Sequence, residues 1–167
     1  MLGRARAVGL AGRLQLAVAS PEDLFLLKGV TGRSGDLEDM AFLARMNLDW
    51  NAIASEVEAQ PESWRWLGQF HASLSDLETE YEVLSPLKER YAREAEAITG
   101  VAALLPLLDR GPMRRGDIIE ALETEDMGFV EAVIIKAVDI GAAEYGRGRL
   151  RKTTGRPASG DGHKGRG

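Results

Sequence analysis

With 167 residues, 44% of them hydrophobic and 28% charged, the chain has the make-up of a globular protein of one or two small domains, and its net charge of −5 makes it a poor general attractor for nucleic acid. The absence of cysteine excludes disulfides and thiolate metal sites; with only His71 and His163, a zinc site would have to rely on carboxylates. No apolar run approaches bilayer length and residues 1–20 lack the continuous apolar core of a signal peptide, so the expectation is a cytoplasmic protein without membrane contact.

Residues 6–20 read as a β-hairpin. Ala7-Val8-Gly9-Leu10 and Leu14-Gln15-Leu16-Ala17-Val18 flank the turn Ala11-Gly12-Arg13, and Leu14, Leu16 and Val18 alternate onto one apolar face. A lone hairpin is marginal in water, and with so little chain ahead of it this one reads as part of a larger sheet. Ser20 then caps a helix that starts at Pro21, whose missing N–H would go unpaired there in any case. Asp23 sits at the back-bonding position of a capping box, and Leu24, Leu27 and Val30 form the expected apolar side, with an end near Gly29 to Gly32. A second helix starts at about Ser34 and carries Asp36 and Asp39, three apart and so neighbours on its surface. Lys28, Arg33, Asp36 and Asp39 thus gather near one turn; two capped surface helices with solvated charges are the plain alternative.

Asp49 caps a third helix with Trp50, Ile53, Ala54 and Val57 on its buried side, and Gln60-Pro61 breaks it. The spacing of Leu67, Phe70, Leu74, Leu77 and Tyr81 predicts one long helix over 62–81, with Trp64 and Trp66 as packing residues and His71 on its polar side. Leu84-Ser85-Pro86 starts another helix, running to about Ala97.

The order hairpin, Ser20-Pro21-Glu22-Asp23-Leu24, Lys28, Arg33, Asp36, Asp39 and Leu48-Asp49-Trp50 resembles the carboxy-terminal half of small prokaryotic nucleotidyltransferases, the minimal and abortive-infection types of the polymerase-beta-like superfamily, many of which belong to toxin–antitoxin pairs. The resemblance covers about residues 6–83. It implies that Lys28 lies near nucleotide phosphates and that Arg33, Asp36 and Asp39 brace or line the edge of the site. That family holds its metal with an upstream Gly-Ser turn and an Asp-x-Asp pair, and neither is found here. Phosphoryl transfer leans on the divalent ion to neutralise developing charge. The remnant is therefore expected to position a nucleotide without activating it: the chain alone binds no cofactor, and Mg²⁺ with a nucleoside triphosphate would be needed only if the missing half is present.

The second half reads as three helices and a hairpin. Ile98 to Leu108 is nearly all apolar, Met113 to Leu122 is a short helix after the turn Asp109-Arg110-Gly111-Pro112, and Asp126 to Ile140 carries Val130, Val133, Ile134, Ala137 and Val138 with helical period. Gly141 ends that helix in the left-handed region, and two short strands surround Gly146-Arg147-Gly148. Over about 97–154 this resembles a winged helix-turn-helix domain, in which the third helix usually reads the major groove. Here that helix region carries Glu125, Asp126, Glu131 and Asp139 against a single Lys136, a poor surface to set against phosphates. Basic charge gathers instead at the end. Residues 145–167 hold seven basic side chains and one acidic, so that segment is +6 and the remainder of the chain −11. DNA contact is accordingly expected through Arg114, Arg115, Arg147, Arg149, Arg151 and Lys152; winged helices also serve as dimerisation and protein-binding modules.

The expected fold is α+β and mostly helical: a partial nucleotidyltransferase-like domain over 1–86, a winged-helix-like domain with a small β wing over 87–154, and a disordered basic Gly-rich tail over 155–167. The expected function is that of an inactive nucleotidyltransferase-like component of regulatory or toxin–antitoxin type. Its partners would be a nucleotide, DNA through wing and tail, or a protein, including a second copy. Two alternatives stand beside it: an active nucleotidyltransferase truncated at its start, and a winged-helix transcriptional regulator.

Overall fold

A computed structural model of the chain describes residues 6–9 and 15–153; the turn expected at 11–13 and the tail over 155–167 lie outside the described residues. Among the described residues the fold is mostly helical, with seven α-helices, a two-stranded hairpin and a small three-stranded antiparallel sheet. The chain divides into two compact units, Met1–Glu96 and Ala97–Gly167.

The first unit opens with strands β1 (Arg6–Gly9) and β2 (Gln15–Val18), paired antiparallel with Val8 opposite Leu16. Helix α1 (Pro21–Thr31) starts as its sequence requires: the Ser20 side chain accepts the Asp23 backbone N–H at 3.1 Å, Pro21 occupies the first turn, and Gly32 closes the helix at φ 64°. The buried face of α1 differs from the expected Leu24–Leu27–Val30 stripe. Phe25, Leu26 and Gly29 are buried, whereas Leu27 is 49% exposed. The aromatic ring decides this. Phe25 makes edge-to-face contacts with Trp50 at 5.3 Å and Phe70 at 6.3 Å, pairs that are each worth about 0.5–1.5 kcal/mol beyond the area they bury.

Helix α2 (Ser34–Ala44) follows at once, and α3 (Trp50–Ala59) is capped by Asp49, whose carboxylate accepts the Asn51 and Ala52 N–H groups. The single helix expected over 62–81 is two pieces. A 3-10 turn at Ser63–Arg65 precedes α4 (Leu67–Tyr81), and Trp66 between them leaves helical space at φ −130°. That break sets the Trp66 ring edge-to-face on Phe70 at 6.4 Å. Helix α4 is the spine of the unit, with Leu67, Phe70, Leu74 and Leu77 buried and both α1 and α2 packed against it. His71 is half-buried, and its Nε2 is shielded from solvent without a hydrogen-bond partner, so it is not an ordinary surface histidine. The axis of α1 runs close to α4 because Gly29 has no side chain: a Cβ there would lie 2.5 Å from the Phe70 ring. At the same crossing the Ser73 hydroxyl donates to the Gly29 carbonyl at 2.9 Å.

Helix α5 (Pro86–Leu108) is continuous where the sequence suggested two helices meeting near Ala97. No proline interrupts residues 87–105, and Pro106, which gives up the bond to the carbonyl four residues back, comes only two residues before the helix ends. Leu87 and Tyr91 are buried in the first unit, the Tyr91 hydroxyl donating to the Ala54 carbonyl at 3.3 Å. Val101, Leu104 and Leu108 belong to the core of the second.

The second unit continues with β3 (Met113–Arg114), α6 (Arg115–Ala121), α7 (Met127–Asp139), β4 (Ala143–Gly146) and β5 (Arg149–Lys152). Strand β3 was not anticipated, since two residues have no period to read. It pairs with β5 in the sheet order β3-β5-β4, Met113 opposite Leu150. Asp117 turns the chain from β3 into α6 by accepting the Arg114 backbone N–H at 2.7 Å. Asp126 caps α7 by accepting from Gly128 and Phe129. Ile118, Val130, Val133 and Leu150 are fully buried at the centre of the core.

Candidate functional site

The residues singled out around the α1–α2 turn converge. Lys28 lies in the last turn of α1, and Asp36 and Asp39 lie near the start of α2, so closing the turn through Gly32 brings the three side chains together. Lys28 Nζ donates to Asp36 Oδ1 at 2.6 Å and to Asp39 Oδ2 at 2.7 Å, while the Thr31 hydroxyl donates to the other Asp36 oxygen. Such charge-assisted bonds are the stronger kind. They hold the Asp36 carboxyl below its ordinary pKa, through Lys28 first and Thr31 second, and they raise the Lys28 ammonium above 10.5. The trio has a net charge of one negative. It braces two helices and attracts phosphate poorly.

Arg33, the N-cap residue of α2, is exposed, and its positive charge also lowers the Asp36 pKa, though less than the hydrogen bonds do. It lines a pocket of about 320 Å³ together with Lys28, Leu37 and Met40. The opposite wall comes from α4 and was not anticipated: Gln69, Ser73, Asp76 and Glu80, with Tyr81 at the end. The polar stripe at 69, 73, 76 and 80 has helical spacing and is legible in the sequence, but its target is not. Gly32 matters to this wall, because a Cβ there would come 2.7 Å from the Gln69 amide. The donor set does not suit a divalent metal ion. Both carboxylates beside the turn are already bridged by an ammonium, and among the described residues no group of three or more His, Asp or Glu side chains is placed to hold one.

In the second unit the six expected basic residues differ in their surroundings. Arg115 is paired with Glu131 of α7, and Lys152 Nζ lies 2.5 Å from Asp109. Arg149 is half-buried opposite Arg114 in the sheet, and Arg114, Arg147 and Arg151 are exposed. Arg147 and Gly148 form the β4–β5 turn with φ of 52° and 72°, a mirror-image hairpin turn that normally takes Asn or Gly at both positions. Holding an arginine there costs on the order of 1 kcal/mol. Beside it Glu144, Tyr145, Arg147 and Arg151 line a shallow pocket of about 190 Å³.

The outward face of α7 was also missed. Met127, Ile135 and Val138 are 45%, 51% and 41% exposed, although the periodicity had placed Val138 with the core. Val130, Val133, Ile134 and Ala137 take the core side as expected, and Val138, one residue further round the helix than Ala137, faces outward. Among the described residues no helix is long and apolar enough to cross a membrane. Comparison of the chain with protein-family models, with curated proteins and with solved structures finds no match.

Proposed function

We propose that this chain is a non-catalytic, nucleotidyltransferase-like regulatory protein of toxin–antitoxin type, whose second unit is a winged-helix domain that binds protein. The observation that carries the reading is the connectivity of that unit: the end of α5, then β3, α6, α7, β4 and β5, with the sheet order β3-β5-β4. A helix-turn-helix followed by a β-hairpin that pairs back onto a strand ahead of its second helix has this order. Binding to protein is favoured by the outward side of α7, where apolar Met127, Ile135 and Val138 are exposed beside Asp139 and beside Glu131, whose charge Arg115 already answers. A groove-reading helix needs donors and cations at those positions. The nucleotidyltransferase part rests on the order of the capped helix, Lys28, Arg33, Asp36 and Asp39. The non-catalytic part rests on the carboxylates beside the turn being already engaged with Lys28.

One observation favours a second reading for the same unit, DNA phosphate contact through the wing: Arg147 is kept at a strained position on the hairpin tip. A gel-shift titration at several salt concentrations separates the two. The expected result is no salt-sensitive binding; a shift that weakens steeply with salt and disappears in Arg147→Ala with Arg149→Ala would replace protein binding with DNA binding. For the first unit, the pairing of Lys28 with Asp36 and Asp39 argues against phosphate binding, so nucleoside triphosphate with magnesium is expected to leave the melting temperature unchanged, and a rise in the wild type that Lys28→Ala abolishes would restore the nucleotide-site reading. An unmoved wild-type curve would leave Lys28 as a helix brace alone.

A further inference from the structure

The pocket of about 320 Å³ between the α1–α2 corner and α4 is lined by three charges that no side chain answers. Lys28 is not among them, since Asp36 and Asp39 already hold its ammonium. The three are Arg33 on one wall and Asp76 and Glu80 on the other. All are exposed, and among the described residues none has an ion-pair partner. Asp76 and Glu80 stand four apart on α4, so they are neighbours that repel each other.

The charges also come in order along the pocket. A side chain on Gly32 would run into Gln69, and Arg33 follows Gly32, so the cation enters beside Gln69. Counted along α4 at 1.5 Å per residue, Asp76 lies roughly 10 Å and Glu80 roughly 16 Å beyond that point. The long Arg33 side chain covers part of this span. Gln69 and Ser73 are occupied within the wall: Gln69 Nε2 donates to Ser73 Oγ at 3.4 Å, and Ser73 donates to the Gly29 carbonyl. Leu37 and Met40 of α2 supply the apolar lining between the charged ends.

We propose that this pocket binds a free basic amino acid of the lysine type. Its carboxylate pairs with the Arg33 guanidinium, a geometry that suits a two-pronged contact. Its α-ammonium meets Asp76, its side-chain ammonium meets Glu80, and its four-carbon stem lies along Leu37 and Met40. The three open charges of the pocket sum to one negative, and those of the ligand sum to one positive. A diamine leaves Arg33 unmet, a neutral amino acid leaves Glu80 unmet, and a nucleotide sets its phosphates against two carboxylates. The volume, at the small end of ligand pockets, suits a molecule of this size. Such a ligand gives the first unit an effector of its own, whether or not the chain is related to nucleotidyltransferases.

Titrations of the full chain test this, with affinity read by calorimetry and position by backbone amide NMR. The ligands are lysine, norleucine, which lacks the side-chain ammonium, and cadaverine, which lacks the carboxylate. Lysine is expected to bind saturably and to shift amides of residues 32–37 and 69–81, with norleucine and cadaverine each about fivefold weaker or more. Arg33→Gln should weaken lysine by a similar factor and leave cadaverine unchanged, whereas Glu80→Gln should weaken lysine and leave norleucine unchanged. Both sites are exposed, and an unchanged far-UV spectrum confirms the fold. The ligand series on the wild type decides the matter without any variant. No saturable binding of lysine, lysine shifts confined to other residues, or cadaverine binding as tightly as lysine would each overturn the proposal, the last by reducing the site to a patch that attracts any amine.

Discussion

Gly29→Ala tests whether the closeness of α1 and α4 holds the first unit together. By helix propensity alone the change should help, since Ala is better than Gly in a helix interior by about 1 kcal/mol. The packing opposes it. The new Cβ would lie 2.5 and 2.8 Å from two Phe70 ring carbons and 2.9 Å from the Met40 methyl group. Phe70 cannot swing away, being fully buried between Phe25 and Trp66. Overpacking of this kind costs about 1–3 kcal/mol. Relieving it by moving α1 outward stretches the Ser73–Gly29 hydrogen bond, worth a further ~1 kcal/mol. The expected net loss is about 1–3 kcal/mol, or roughly 4–8 °C in melting temperature for each kcal/mol in a unit of this size. Trp50, Trp64 and Trp66 are the only tryptophans and all belong to the first unit, so fluorescence in a urea titration reports that unit alone. Gly35→Ala is the control: it is the same substitution in the first turn of α2, with nothing within 4 Å of the added Cβ, and it should be neutral or slightly stabilising. A Gly29→Ala midpoint at or above wild type would refute the close-packed crossing.

Asp36 is held below its ordinary pKa in the folded state, so its pairing with Lys28 stabilises above the ordinary carboxylate range, and that contribution disappears as pH falls through the lowered value. Lys28→Met should therefore lose stability at neutral pH and converge on wild type in strong acid; urea midpoints measured from about pH 2 to 7 check this, and parallel curves would refute it. Arg147→Asn relieves the left-handed strain and should stabilise the second unit by about 0.5–1 kcal/mol in calorimetry. Asp126→Ala removes the cap of α7 and should cost about 1 kcal/mol, seen as faster amide exchange in that helix.

The features readable from the order of residues are local. Ser20-Pro21, Asp49, Gln60-Pro61 and Gly141 set starts and stops through hydrogen bonds and backbone limits that act within four residues, so α1, α3 and the exit from α7 were legible at once. The gathering of Lys28, Arg33, Asp36 and Asp39 was legible for the same reason, because one tight turn joins their helices. Tertiary structure decided which way those elements face. The Phe25 ring, by meeting Trp50 and Phe70, turned α1 away from its expected apolar side. Strand β3 exists only because β5 lies beside it, and the α4 wall of the pocket faces Lys28 only because Gly29 and Ser73 let two helices approach. Val138 likewise faces outward although Val130, Val133, Ile134 and Ala137 of the same periodic set are buried. Periodicity marks a stripe on a helix, but burial is a contest among all surfaces of the chain, and its outcome depends on residues far away in sequence.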